Sequence, residues 1–137
     1  NMIGLPYETA ENIEETIRVN KEIKPDVIFV SVFQPYPGTE LYDICKKNGW
    51  LTNLHLEGYF GNETILNQPS VSKEKVAYYH NIFPWVILYP ALAPFVKILA
   101  KIKIHKNKSL YDFLFPIIKS AYKFKYLVID RYLKSII

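Results

Sequence analysis

The sequence predicts an α/β fold followed by a mainly α-helical extension, and three observations carry that expectation. Two apolar runs, ending near Ile3 and Phe33, each lead through a loop rich in Gly and Pro into an amphipathic stretch. The loops, Gly4-Leu5-Pro6-Tyr7-Glu8-Thr9 and Pro35-Tyr36-Pro37-Gly38-Thr39-Glu40, lie about thirty residues apart, the length of one strand-helix unit. Beyond Ser72 the pattern changes to long apolar segments interleaved with lysines.

Met2 and Ile3 read as the end of a buried strand. Asn1 falls inside that strand, so the sequence is expected to be the tail of a larger protein. Thr9 is placed to cap a helix, with Glu11 in its first turn favoured by the helix dipole. Ile13, Thr16, Ile17, Asn20 and Ile23 share one face at helical spacing, and Glu14, Glu15, Arg18 and Lys21 lie opposite. Pro25-Asp26 stops this helix. Val27 to Phe33 is then nearly unbroken apolar sequence, Ser31 excepted, as a parallel strand buried on both faces requires. Thr39 caps a short helix through Leu41, Ile44 and Cys45, and Gly49 is placed for a left-handed C-terminal cap.

The turn-rich segment from Trp50 to Ser72 reads as a connecting loop, which divides the chain into residues 1–50, 51–72 and 73–137. Charge divides the same way. Residues 1–72 carry a net charge of −5 and residues 73–137 a net of +9. This segregation suits an anionic neighbour for the second region, and its long aliphatic stripes and lack of a nucleic-acid-binding motif argue against nucleic acid. A composition of 50% hydrophobic and 22% charged residues supports a real core rather than disorder. The single cysteine, Cys45, excludes an internal disulfide and fits a reducing, cytoplasmic setting; its place on an amphipathic helix makes it a small core residue. No signal peptide is apparent.

Ser72 is placed to cap a helix through Val76, Tyr79, His80 and Phe83. From Val76 to Val96 there are 21 residues without Asp, Glu, Lys or Arg, long enough to span a bilayer. Pro84, Pro90 and Pro94 each remove a backbone donor, which favours a broken, protein-packed or interfacial helical segment instead. Lys97, Lys101, Lys103, Lys106 and Lys108 then interleave with Ile98, Leu99, Ile102 and Ile104, and Ser109 opens a further amphipathic helix with Leu110, Leu114, Ile117, Ala121, Phe124 and Val128 along its stripe. These segments either pack on the rest of a larger protein or make peripheral contact with an anionic membrane at its inner surface. His55, His80 and His105 recur at 25-residue intervals, which fit no metal-ligand spacing, so no metal ligand is assigned.

Met2-Ile3-Gly4-Leu5-Pro6-Tyr7-Glu8-Thr9, Lys24-Pro25-Asp26 before an apolar run, and Phe33-Gln34-Pro35-Tyr36-Pro37-Gly38-Thr39-Glu40-Leu41-Tyr42 together resemble the fifth and sixth strand-helix units of radical SAM enzymes, in the branch that commonly carries a cobalamin-binding domain. The resemblance covers residues 1 to about 50 and extends more loosely through Asn62-Glu63-Thr64 and Ser72-Lys73-Glu74. It implies the C-terminal portion of a partial TIM-type (β/α) barrel. It also implies an enzyme that uses S-adenosylmethionine and a 4Fe-4S cluster for radical chemistry on a small-molecule or lipid-like substrate, such as cobalamin-dependent methylation or tetrapyrrole-type modification.

The cluster of that family needs a Cys-x3-Cys-x2-Cys triplet, absent from this sequence and so expected upstream, in the missing N-terminal part of the same protein. The chain alone is expected to be inactive. By the resemblance, Met2, Ile3 and Gly4 at the first strand end and Phe33, Gln34 and Pro35 at the second would hold the adenine of S-adenosylmethionine. A base wants flat apolar contact with backbone groups at its edge. Tyr7 departs from the family, where a small residue follows Leu-Pro, and would narrow the loop mouth. Glu8 reads as a loop anchor in preference to a general base. The other reading of the sequence is a non-catalytic module that presents a basic amphipathic tail to a membrane or a partner.

Overall fold

A computed structural model describes residues 1–52 and 64–101 of the chain. By its contacts the chain divides into two units, Asn1–Ala100 and Lys101–Ile137. The expected helix opening at Ser109, its apolar stripe, the lysines beyond Lys101, and His55 and His105 lie outside the described residues, as does the middle of the connecting loop.

Helices dominate. The order is β1 (Met2–Ile3), α1 (Ala10–Ile23), β2 (Ser31–Val32), α2 (Glu40–Lys47), α3 (Lys73–Leu88), a 3-10 turn at Pro90–Leu92, and α4 (Ala93–Lys101). The two strands pair in parallel, Met2 beside Ser31 and Ile3 beside Val32, and the Phe33 N–H donates to the Ile3 carbonyl at 2.8 Å as the last rung.

This corrects the expected fold class. A portion of a (β/α) barrel needs strands paired on both sides of each unit, and the described residues hold one two-stranded pair of two residues each. The apolar run Val27 to Phe33 does not form a strand buried on both faces, because only Ser31–Val32 pairs, while Val27 and Phe29 stay about 60% exposed, at 60% and 59%. The fold is a mostly helical unit with a short parallel ladder and is not part of a TIM-type barrel.

Local sequence explains the helix ends. Thr9 accepts from the Asn12 N–H while the Asn12 side chain accepts from the Thr9 N–H, closing a capping box. At the other end Lys24 turns left-handed, with φ 53°, and donates its N–H to the Asn20 carbonyl. Ile13 and Ile17 are buried as their spacing predicts, but Ile23, on the same face in the last turn, is exposed. Thr39 and Ser72 cap α2 and α3 through their hydroxyls, and Gly49 sits at φ 67° after α2.

The core is built by α3 lying against α1 and β2. Val76, Tyr79, Ile82, Phe83, Val86 and Ile87 are buried, meeting Ile3, Ile13, Ile17, Ile28 and Val32 in one cluster. The Tyr79 hydroxyl donates to Glu14 Oε1 at 2.6 Å, which pins the two helices. Burial and this carboxylate push the Tyr79 phenol well above its ordinary range, so it stays a donor at any physiological pH. Of the three prolines, Pro84 is accommodated inside α3, Pro90 opens the 3-10 turn and Pro94 falls in the first turn of α4, where a missing N–H costs little. The apolar stretch is thereby split, and among the described residues no helix is long and apolar enough to cross a membrane.

His80, on α3, has its Nδ1 buried without a hydrogen-bond partner, and burial pushes its imidazole below the ordinary value of 6.5, opposed in part by the Val30 backbone. The unfolded chain therefore binds this proton more tightly than the folded one. Its contribution to stability is fully present above the unfolded value and is lost as pH falls through the lower folded value. Urea midpoints measured from neutral pH downward are expected to fall below about 6.5, and His80→Gln is expected to flatten that decline. An unchanged slope in the variant would assign the decline to other groups.

Candidate functional site

Because β1 and β2 are parallel, the loops that follow them leave the same edge, the position at which α/β units carry ligands and chemistry. The first loop starts at Gly4, whose φ of 79° turns the chain out of the strand, and passes through Tyr7, also left-handed at φ 66°. Such angles cost a non-glycine residue roughly 1–2 kcal/mol, so the loop must be held by contacts. Glu8 supplies two. Its Oε2 accepts from the Gly4 N–H and from the Leu5 N–H, the latter at 3.2 Å.

Gln68 supplies two more. Its Oε1 accepts from the Tyr7 N–H at 2.9 Å, its Nε2 donates to the Leu5 carbonyl at 2.9 Å, and Ser70 Oγ donates to the same Oε1 at 3.1 Å. The Tyr7 ring meets Trp50 edge to face with centroids 4.9 Å apart. Gln68 was not legible from the sequence as a site residue: it is one polar residue in a turn-rich stretch, sixty-one positions from the amide it clamps. Glu8 is half-buried, and burial raises its carboxyl above the ordinary value, against the lowering effect of the two amides. It is an anchor.

The six residues expected at the cofactor are distributed as follows. Met2 is exposed, whereas Ile3, Gly4, Phe33, Gln34 and Pro35 are buried. The structure brings the backbones of Ile3 and Phe33 together but divides their side chains. Ile3 packs in the cluster under α1 and α3, and Phe33 packs with Cys45 and Leu66 in a separate one, against Leu5 and Trp50. A Cβ added at Gly4 would lie 3.2 Å from Val76 Cγ1, so the open side of this glycine is already filled by α3. The Gly4 and Leu5 amides are taken by Glu8. Among the described residues the strand ends are therefore packed with the protein's own groups.

Gly4→Ala is expected to cost about 1–3 kcal/mol, combining left-handed strain with displacement of Val76. Gly38→Ala is the natural comparison, since Gly38 has φ 86° and nothing within 4 Å of an added Cβ. Equilibrium urea unfolding of the two variants separates the terms. Equal losses would mean that Val76 yields without cost.

A concavity lies between α1, α3 and α4. It has a volume of about 240 Å³, an apolar floor that includes Ile17, Ile82 and Val86, and a rim with Lys21 and Lys97. Those lysines have no ion-pair partner among the described residues, whereas Arg18 beside them is held by Glu15 and Glu22. Cys45 is buried, and burial raises its thiol, which makes it a packing residue. No group of three metal-ligating side chains occurs among the described residues.

No family model matches the chain, and no solved structure does. Over 76 residues, 56% of its length, the chain is 28% identical to a protein described as an uncharacterized methyltransferase, from Pyrococcus horikoshii. The chain spans 17% of that relative's length. Its similarity is thus to a part of a methyltransferase-like protein.

Proposed function

We propose that this chain belongs to an S-adenosylmethionine-dependent methyltransferase, of the radical type that couples the cofactor to a 4Fe-4S cluster and, in this branch, to cobalamin. The methyl-transfer part of the reading is carried by the similarity over 76 residues to a protein described as an uncharacterized methyltransferase, and the radical part by the resemblance of residues 1 to about 50 to radical SAM strand-helix units. The strand-end loops support it: two parallel strands deliver Gly4-Leu5 and Phe33-Gln34-Pro35 to one edge, and Glu8 and Gln68 lock the first loop there. In this reading Met2, Ile3, Gly4, Phe33, Gln34 and Pro35 form one side of the nucleoside site, and the remainder of a longer protein supplies the open cleft and the thiolates that iron requires.

The full-length protein encoded around this sequence, purified without oxygen and reduced, is expected to release 5′-deoxyadenosine and S-adenosylhomocysteine from S-adenosylmethionine. S-adenosylhomocysteine alone, from a protein lacking iron and sulfide, would keep the methyltransferase and remove the radical chemistry. Neither product, together with no binding of S-adenosylmethionine by calorimetry, would remove both.

A further inference from the structure

The helix α4 is apolar around most of its circumference. Ala93, Val96 and Ala100 face the core, while Leu92 just before the helix and Phe95 and Ile98 within it point away and are 50%, 56% and 57% exposed. An apolar surface on both sides of one helix is stable only when the outer side is also covered. Lys97 and Lys101 occupy the narrow polar flank between them, and Lys97 continues this flank onto Lys21 of α1 across the rim of the concavity.

Charge selects among the surfaces that could cover it. Between Glu74 and Asp112 the sequence has no acidic residue. Residues 102–137 carry eight Lys or Arg against two Asp, so the sequence that follows α4 is basic as well and offers few acidic groups. An anionic bilayer complements both. The half-buried Trp85 and Tyr89, stacked with centroids 5.9 Å apart immediately before the 3-10 turn, are the aromatic types that favour a membrane interface. We infer that α4 lies flat on an anionic membrane surface, with Leu92, Phe95 and Ile98 in the acyl boundary and Lys97, Lys101 and Lys21 against lipid phosphates. This is attachment to one leaflet, as an interfacial amphipathic helix makes it. It does not depend on the methyl-transfer reading.

The test is flotation of the 137-residue chain with vesicles of phosphatidylcholine alone and of phosphatidylcholine mixed with phosphatidylglycerol, at low and high salt. The expected result is binding to the mixed vesicles that weakens with salt. Phe95→Ser with Ile98→Ser is expected to reduce partitioning about tenfold or more, and Phe95→Leu with Ile98→Leu to retain it. Each of Lys97→Gln and Lys101→Gln is expected to cost about fivefold on anionic vesicles alone. These positions are exposed, so far-UV circular dichroism should be unchanged in every variant. Equal binding to both vesicle types, or equal binding by the serine variant, would overturn the inference. So would a serine variant that binds vesicles normally but loses self-association or unfolds earlier, since the face would then be covered by protein.

Discussion

Phe83→Ala is expected to lower the stability of the chain by about 3–5 kcal/mol, the loss typical of a fully buried phenylalanine. Phe83 has no exposed surface and sits in the cluster where α3 meets Ile13, Ile17 and β2. Set against a total of roughly 5–15 kcal/mol for a domain, the loss is a large share. Phe83→Leu, which keeps most of the volume, is expected to cost less than about 1.5 kcal/mol. Phe95, 56% exposed, provides the contrast, and its replacement by alanine is expected to be close to neutral in solution. Urea denaturation followed by Trp fluorescence and circular dichroism measures all three. A loss below about 1 kcal/mol for Phe83→Ala would mean that α3 does not seal α1.

Glu8→Ala is expected to cost roughly 2–4 kcal/mol, because it leaves the Gly4 and Leu5 amides without their acceptor in a partly buried loop. Glu8→Gln keeps an acceptor oxygen and removes the charge, so it is expected to fold as well as the parent. The pH dependence distinguishes them further. Burial holds the Glu8 carboxyl above its ordinary 4.5 in the folded state. Its contribution is therefore fully present below the unfolded value and is lost as pH rises through the folded value. The glutamine variant is expected to lack that loss. If alanine and glutamine were equally stable at neutral pH, the anchoring role would fail.

What could be read in the sequence was local. Thr9, Thr39 and Ser72 as caps, Gly49 as a left-handed terminator and the burial of Ile13, Ile17 and Cys45 all follow from hydrogen bonding and spacing within a few residues. The strand-end loops and the anchoring role of Glu8 were legible for the same reason, as Glu8 reaches only to Gly4 and Leu5.

The extent of the sheet was not local. Val27 to Phe33 has the composition of a central strand, but a strand needs a partner along its whole length, and β1 offers two residues. Gln68 was invisible for a related cause, since its value lies in amide groups that only the folded chain brings within 2.9 Å. By itself the sequence determined where helices start and stop, because those choices are made by side chains beside the backbone they satisfy. Only the tertiary structure decided that α3 fills the side of Gly4 and closes over α1, and that Phe95 and Ile98 of α4 stay exposed, because burial depends on which surfaces meet and not on composition.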